Sequence, residues 1–175
     1  MIPYSGHRIR SWAWFVALTV LSCVGEQWVD FRSEEGGFMA TFPGTPTQQV
    51  KTVNTAQGPR DMHMYSFTDK QTSFSVVISE LPHEQIGNVG PAATLDSARD
   101  GAVANTQGKL LSELIIDVSG HPGRELKIAA AGGKGTIRAR LFLVENRLYQ
   151  ALVVTPADES YAPRVRRFLE SVKLL

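Results

Sequence analysis

At 175 residues and 43% hydrophobic, the chain is sized for one ordinary globular domain plus a short targeting segment. Its formal charge is +1, and setting aside Arg8 and Arg10 in the expected leader leaves −1, so there is no concentrated basic balance of the kind nucleic acid requires. Cys23 is the single cysteine, which excludes an intrachain disulfide and paired-cysteine metal knuckles.

Residues 1–25 read as an export signal, with His7, Arg8 and Arg10 as a basic start and Trp12, Trp14, Phe15, Val16, Ala17, Leu18, Val20 and Leu21 as an apolar core. The run is short of the about 20 apolar residues a spanning helix wants, and Glu26 follows almost at once. Val20-Leu21-Ser22-Cys23 resembles the lipobox of bacterial lipoproteins, with Leu21 standing where a smaller residue is usual. The resemblance implies that Cys23 becomes the first, lipid-bearing residue after cleavage. Cleavage near Ser22 or Gly25 to give a soluble secreted protein, and an uncleaved anchor, are the competing fates.

Residues 26–175 are expected to form a single domain. Trp28 to Ser33 and Gly37 to Phe42 read as short strands, and Pro43-Gly44-Thr45-Pro46 as a turn, since two prolines around a glycine cannot continue a ladder. Thr47 to Val53 and Asp61 to Phe67 are further strands joined by a loop over Thr55 to Pro59. Thr72 to Leu81 is the most β-prone run and is predicted as a central strand. Pro82 to Pro91 reads as a loop, and Ala92 to Gln107 as a helix whose small apolar face must lean on the sheet.

Lys109 to Val118 is the next strand. Gly120-His121-Pro122-Gly123 is predicted as a turn into a hairpin, in which Arg124, Leu126 and Ile128 alternate with Glu125, Lys127 and Ala129. Gly132-Gly133-Lys134-Gly135 turns the chain back into Ile137 to Val144, and Glu145-Asn146 turns it again into Leu148 to Thr155. Gly44 and Gly123 each sit beside proline, where a positive φ is expected. A last helix spans Glu159 to Ser171, with Asp158 or Ser160 as its cap and Pro163 near its start.

The sum is an α+β sandwich, an antiparallel sheet of about seven strands covered by two helices. Gly37-Phe38 with Phe42-Pro43-Gly44-Thr45-Pro46, Gly120 with Pro122-Gly123-Arg124-Glu125-Leu126, and Asn146-Arg147-Leu148-Tyr149-Gln150 resemble the PsbP-like superfamily across the chain from Trp28 onward. That superfamily includes extrinsic photosystem proteins, small bacterial lipoproteins and a eukaryotic nuclear-transport factor. The resemblance implies a PsbP-like α/β/α sandwich and supplies no catalytic signature, so function must be argued from a site.

Few residues offer one. His63 and His83 with Asp61 and Glu84 lack metal-ligand spacing, and no nucleophile elbow, zinc-protease motif or phosphate loop occurs, so neither cofactor nor metal is expected. Arg124, Glu125, Arg138, Arg140, Glu145 and Arg147 are the densest charge group on the predicted strands. They fit cross-strand ladders, or Arg124, Arg138 and Arg140 fit an acidic partner through arginine's planar fork. Trp28, Phe38, Phe42, Phe74, Phe142 and Tyr149 fit a core or a ligand groove. The expected protein is a non-enzymatic exported domain, periplasmic, extracellular or membrane-anchored through Cys23. It would bind a protein or envelope component, with carriage of a small apolar ligand and an unrecognised enzyme site as alternatives and the oligomeric state open.

Overall fold

A computed structural model describes residues 26–55, 58–133, 135–156 and 159–175. The predicted signal with Cys23, the candidate cap Asp158, and Lys134 of the glycine-rich turn lie outside the described residues.

The strands in chain order are β1 (Val29–Ser33), β2 (Phe38–Phe42), β3 (Thr47–Thr55), β4 (Gly58–Asp69) and β5 (Thr72–Glu80). Helix α1 (His83–Asn105) follows, then β6 (Lys109–Val118), β7 (His121–Ala129), β8 (Thr136–Val144), β9 (Arg147–Thr155), α2 (Pro163–Ser171) and β10 (Lys173–Leu174). Seven strands form one antiparallel sheet in the order β3-β4-β5-β9-β8-β7-β6, and β1-β2-β10 form a small second sheet. The expected seven-stranded α+β architecture is present. The first two strands stand outside the main sheet, paired with a two-residue C-terminal strand whose brevity leaves no alternation to read in the sequence.

Alternation sorts the side chains of the large sheet onto two faces. On one, Phe74, Val76 and Ile78 of β5 with Tyr149, Ala151 and Val153 of β9 pack against Phe38, Ala40 and Phe42 of the small sheet and Val165, Phe168 and Leu169 of α2. On the other, Leu126, Ile128, Ile137, Ala139, Leu141 and Leu143 pack against Leu95 of α1. The aromatic group is therefore core, apart from Trp28, which is half-buried and edge-on to Phe74. Chain order explains α1's place: it leaves the interior strand β5 and must reach the edge strand β6, and it crosses over β7 and β8 on the way. Among the described residues no helix is long and apolar enough to cross a membrane.

Three local expectations are corrected. Pro82 to Pro91 is largely helical: α1 begins at His83, breaks at Gly90 (φ 80°, ψ 167°) and resumes with Pro91. A proline in the first turn of a helical segment loses an N–H that would have no intrahelical partner, so the Gly-Pro pair marks a kink in α1. The second helix begins at Pro163, with Ala162 at its cap and no side-chain cap bond, and Ser160 is buried outside it. Proline pushes the residue before it toward extended backbone, and Ala162 adopts φ −53°, ψ 141°.

The third correction concerns the turn before Arg124. The β6–β7 connection is made by Ser119 (φ 57°) and Gly120 (φ 82°), while His121, Pro122 and Gly123 already belong to β7. Pairing with β8 begins only at Gly123, so Pro122's missing N–H interrupts no bond on that side. Neither Gly44 nor Gly123 has a positive φ. Both are glycine for lack of room: a Cβ at Gly44 would fall 2.2 Å from the Phe67 ring, and one at Gly123 would fall 2.5 Å from the Leu141 carbonyl oxygen. Gly123→Ala is expected to cost about 1 to 3 kcal/mol by overpacking, lowering the melting temperature by several degrees. Gly120→Ala, which meets open space, is expected to cost only its backbone strain, about 1 kcal/mol. Thermal denaturation of the two variants checks both, and equal, negligible shifts would contradict the steric account.

Candidate functional site

The arginines singled out from the sequence project from neighbouring strands onto opposite faces of the sheet. Glu125 lies directly opposite Arg140 in the β7–β8 register, and Lys127 opposite Arg138. Arg138 Nη2 and Arg140 Nε (2.8 Å) each donate to a separate Glu125 carboxylate oxygen. The remaining donors turn toward the α2 side of the molecule, Arg140 Nη1 to the Leu169 carbonyl (3.3 Å) and Arg138 Nη1 to the Ser160 carbonyl (3.5 Å). Burial works to raise the Glu125 pKa, but the hydrogen bonds from Arg140 and Arg138 outweigh it and hold the carboxyl below its ordinary value.

Arg124 points the other way, beneath α1. Its Nη2 reaches Asp96 (3.1 Å) and its Nε reaches Glu113 of β6 (3.1 Å), while Arg99 of α1 binds the second Glu113 oxygen (3.0 Å). Two arginines and two acids thus clamp the helix to the β6–β7 hairpin, and the Arg124 side chain is only 9% exposed. The alternation that makes a ladder on a strand also turns each arginine toward a covering layer, so all three guanidinium groups are engaged within the fold.

Three other features come together only in the folded chain. A polar hollow of about 420 Å³ gathers Glu35, Arg60, Asp61, His63, Glu80 and Arg147 from separate parts of the chain. Arg147 holds Glu80 Oε1 through Nη2 (3.0 Å) and Nε (3.1 Å), and His63 Nδ1 stands 3.8 Å from Glu35 Oε1. Its charges are of both signs, so it selects no ligand charge. His83 is on α1, apart from His63 on β4, and no cluster of three or more metal-ligating residues occurs among the described residues.

The second feature is a cleft of about 410 Å³ between α1 and the half of the sheet that the helix leaves uncovered, lined by Val53, Met62, Leu81, Ala98, Gly101 and Leu148 with Thr94 and Gln150 among its polar groups. Small residues on α1 open it: a Cβ at Gly101 would meet nothing within 4 Å. The third is β6, an edge strand of the large sheet, on which Leu111, Leu114 and Ile115 are 49%, 62% and 80% exposed. Ile115 lies opposite Arg124 and Leu114 opposite Glu125, so the edge is apolar on both faces. The run Leu114-Ile115-Ile116 breaks strict alternation, and that break is the signal in the sequence. Its meaning depends on strand order, which the sequence does not spell out.

Protonation of Glu125 gives a pH test. Its folded-state pKa is depressed, so the ladder's contribution is complete above the ordinary carboxyl value of 4.5 and is lost as the pH falls through the lower folded value. Glu125→Gln is expected to be less stable than the wild type by about 2 kcal/mol at neutral pH, and the gap should narrow on acidification below 4.5. Chemical denaturation at both pH values measures it, and a gap that stays constant would contradict the assignment.

No protein-family model matches the chain, and no curated protein matches it in sequence. Among solved structures it is similar to the solution structure of cyanobacterial PsbP (CyanoP) from Synechocystis sp. PCC 6803, at 15% identity and a TM-score of 0.56, over 90% of this chain and 99% of that one. A crystal structure of PA94, a protein of unknown function from Pseudomonas aeruginosa, aligns at 20% identity and a TM-score of 0.39, over 77% of this chain and 87% of that one. The likeness to cyanobacterial PsbP covers 90% of the chain at an identity that speaks for fold alone, and the chain has a PsbP-like fold.

Proposed function

We propose that this chain is an exported, membrane-tethered domain that binds a protein of the cell envelope and catalyses no reaction, its partner adding a strand to β6. The observation that carries the reading is the β6 edge. An edge strand offers a row of backbone donors and acceptors, and natural edges are usually blunted by charge, proline or brevity. β6 is ten residues long, irregular in register between Leu110 and Ser112 and regular from there to Val118, with Leu111, Leu114 and Ile115 exposed and Glu113 turned to Arg124 and Arg99. The opposite edge, β3, also exposes apolar side chains, Val50 at 55% and Val53 at 40%, but sets Lys51 between them. An extended segment pairing with β6 would satisfy the edge and cover those side chains, the mode by which strand addition recognises peptides. The tether rests on the signal-like residues 1–25 and the lipobox-like approach to Cys23.

Leu114→Lys with Ile115→Lys should leave the melting temperature nearly unchanged, because both side chains are exposed. The same pair of changes should abolish recovery of a partner that the wild-type chain retains from its native membranes. Recovery of the same partner by both proteins would sink the edge reading.

Carriage of a small apolar ligand is the second reading, favoured by the cleft between α1 and the sheet, whose size falls within the range of small-molecule sites. Gly101→Leu should place a side chain in that space, since its Cβ meets nothing within 4 Å, and remove an interior helix glycine that costs about 1 kcal/mol relative to alanine. A bound apolar molecule seen by native mass spectrometry in the wild type and absent from Gly101→Leu would support carriage, and its absence from both would remove the reading.

A further inference from the structure

The start of the described chain is fastened to α2. Glu26 Oε1 lies 3.0 Å from Arg164 Nη2, and the Arg167 guanidinium lies 4.2 Å from the centre of the Trp28 ring. Cys23 is three residues before Glu26. Three residues reach about 11 Å at full extension, so a lipid or membrane boundary at Cys23 would hold Glu26 and its surroundings about one Debye length, roughly 8 to 10 Å, from the headgroups. A long flexible stalk is excluded by this count, and the side chains around Glu26 would have to sit in the field of the membrane surface.

Those side chains are basic. Arg166, Arg167 and Lys173 are exposed and line one shallow surface with Glu26 and Trp28. None of the three has a carboxylate partner among the described residues, whereas Arg164 is bound by both Glu26 and Asp69. Glu170 is the one further acid on that surface, so its net charge is positive on a chain that is close to neutral.

We propose that this α2 surface lies directly on an anionic phospholipid bilayer, with Arg166, Arg167 and Lys173 orienting the tethered domain. The inference rests on the tether reading above and adds the direction in which the domain faces. Acyl chains supply attachment whatever the lipid charge, whereas each lysine or arginine close to an anionic surface favours the surface-lying orientation by about fivefold. Because α1 packs on the other face of the sheet, the α1 cleft faces away from the lipid in this orientation.

The experiment uses the full-length protein expressed with fatty-acid labelling, purified after processing and reconstituted into vesicles of phosphatidylcholine, with or without about one-third phosphatidylglycerol. A nitroxide is carried on Glu170→Cys beside the basic surface or on the exposed Ser97→Cys of α1. In anionic vesicles the label at position 170 should be shielded from a water-soluble relaxation agent and the label at position 97 should not. Arg166→Glu with Lys173→Glu should reduce the shielded population by about fivefold for each cation removed, while co-sedimentation with neutral vesicles is unchanged. Arg167 is left in place because it covers Trp28. Equal exposure of the two labels, or shielding indifferent to phosphatidylglycerol, in a protein that does co-sediment would overturn the orientation and leave the tether standing. A wild type that takes up no fatty acid and does not sediment with neutral vesicles would remove the tether and the orientation together.

Discussion

The fold is held around the ring of Phe168. From α2 it meets Phe42 of the small sheet at 4.9 Å between centroids and Phe74 of the large sheet at 5.4 Å, both in tilted, edge-toward-face geometry. Three elements that could not stand alone are joined at that point. A sheet of two five-residue strands and a two-residue strand buries too little by itself, and α2 has only nine residues, below the length at which an isolated helix holds its shape. Each becomes stable by covering the face of β5, β9 and β8 that the others leave open. The buried hydrogen bond from Ser33 to the Tyr65 hydroxyl (3.0 Å) ties the small sheet to β4, where apolar contact alone would leave a polar group unsatisfied.

The charged residues of β7 and β8 follow from the same layering. A strand buried on both faces has no solvent side to which alternate arginines can turn, so each must find acids or carbonyls inside the structure. Glu125 between Arg138 and Arg140, and Glu113 with Asp96 around Arg124, meet that need on opposite faces. These groups secure the covers to the sheet. Removing one member would strand the others in a poorly solvated layer, which costs more than the pair contributed when intact.

Much of the fold was legible in the sequence because antiparallel hairpins write themselves locally. The tight turn at Glu145-Asn146 separates two runs with clear alternation, and β5 announces its interior position by Phe74, Val76 and Ile78 with Val77 between them. The misreadings have physical reasons. Glycine and proline near residue 90 signal a loop by composition, yet they sit where one helical segment ends and another begins. Pro122 and Gly123 signal a turn, yet one falls outside the ladder on its β8 side and the other is small because a carbonyl passes close by. Division into two sheets was hidden, since the strand pairing Phe38 and Met39 is two residues at the far end of the chain. The candidate surfaces were hidden for a related reason: edges and hollows are properties of strand order, which depends on contacts between distant residues.

The unequal edges of the large sheet limit what strand pairing can build. β6 exposes Leu111, Leu114 and Ile115 along its length, while β3 sets Lys51 between its exposed Val50 and Val53. A sheet open at both ends can extend indefinitely, each newcomer exposing a fresh edge for the next. Were β6 the one receptive end, as proposed, addition would terminate after a single event: two such molecules joined through β6 would present only their β3 sides to solution, and a foreign strand would likewise bring growth to a halt. On the proposed edge reading, the domain would engage one neighbour without seeding a fibre.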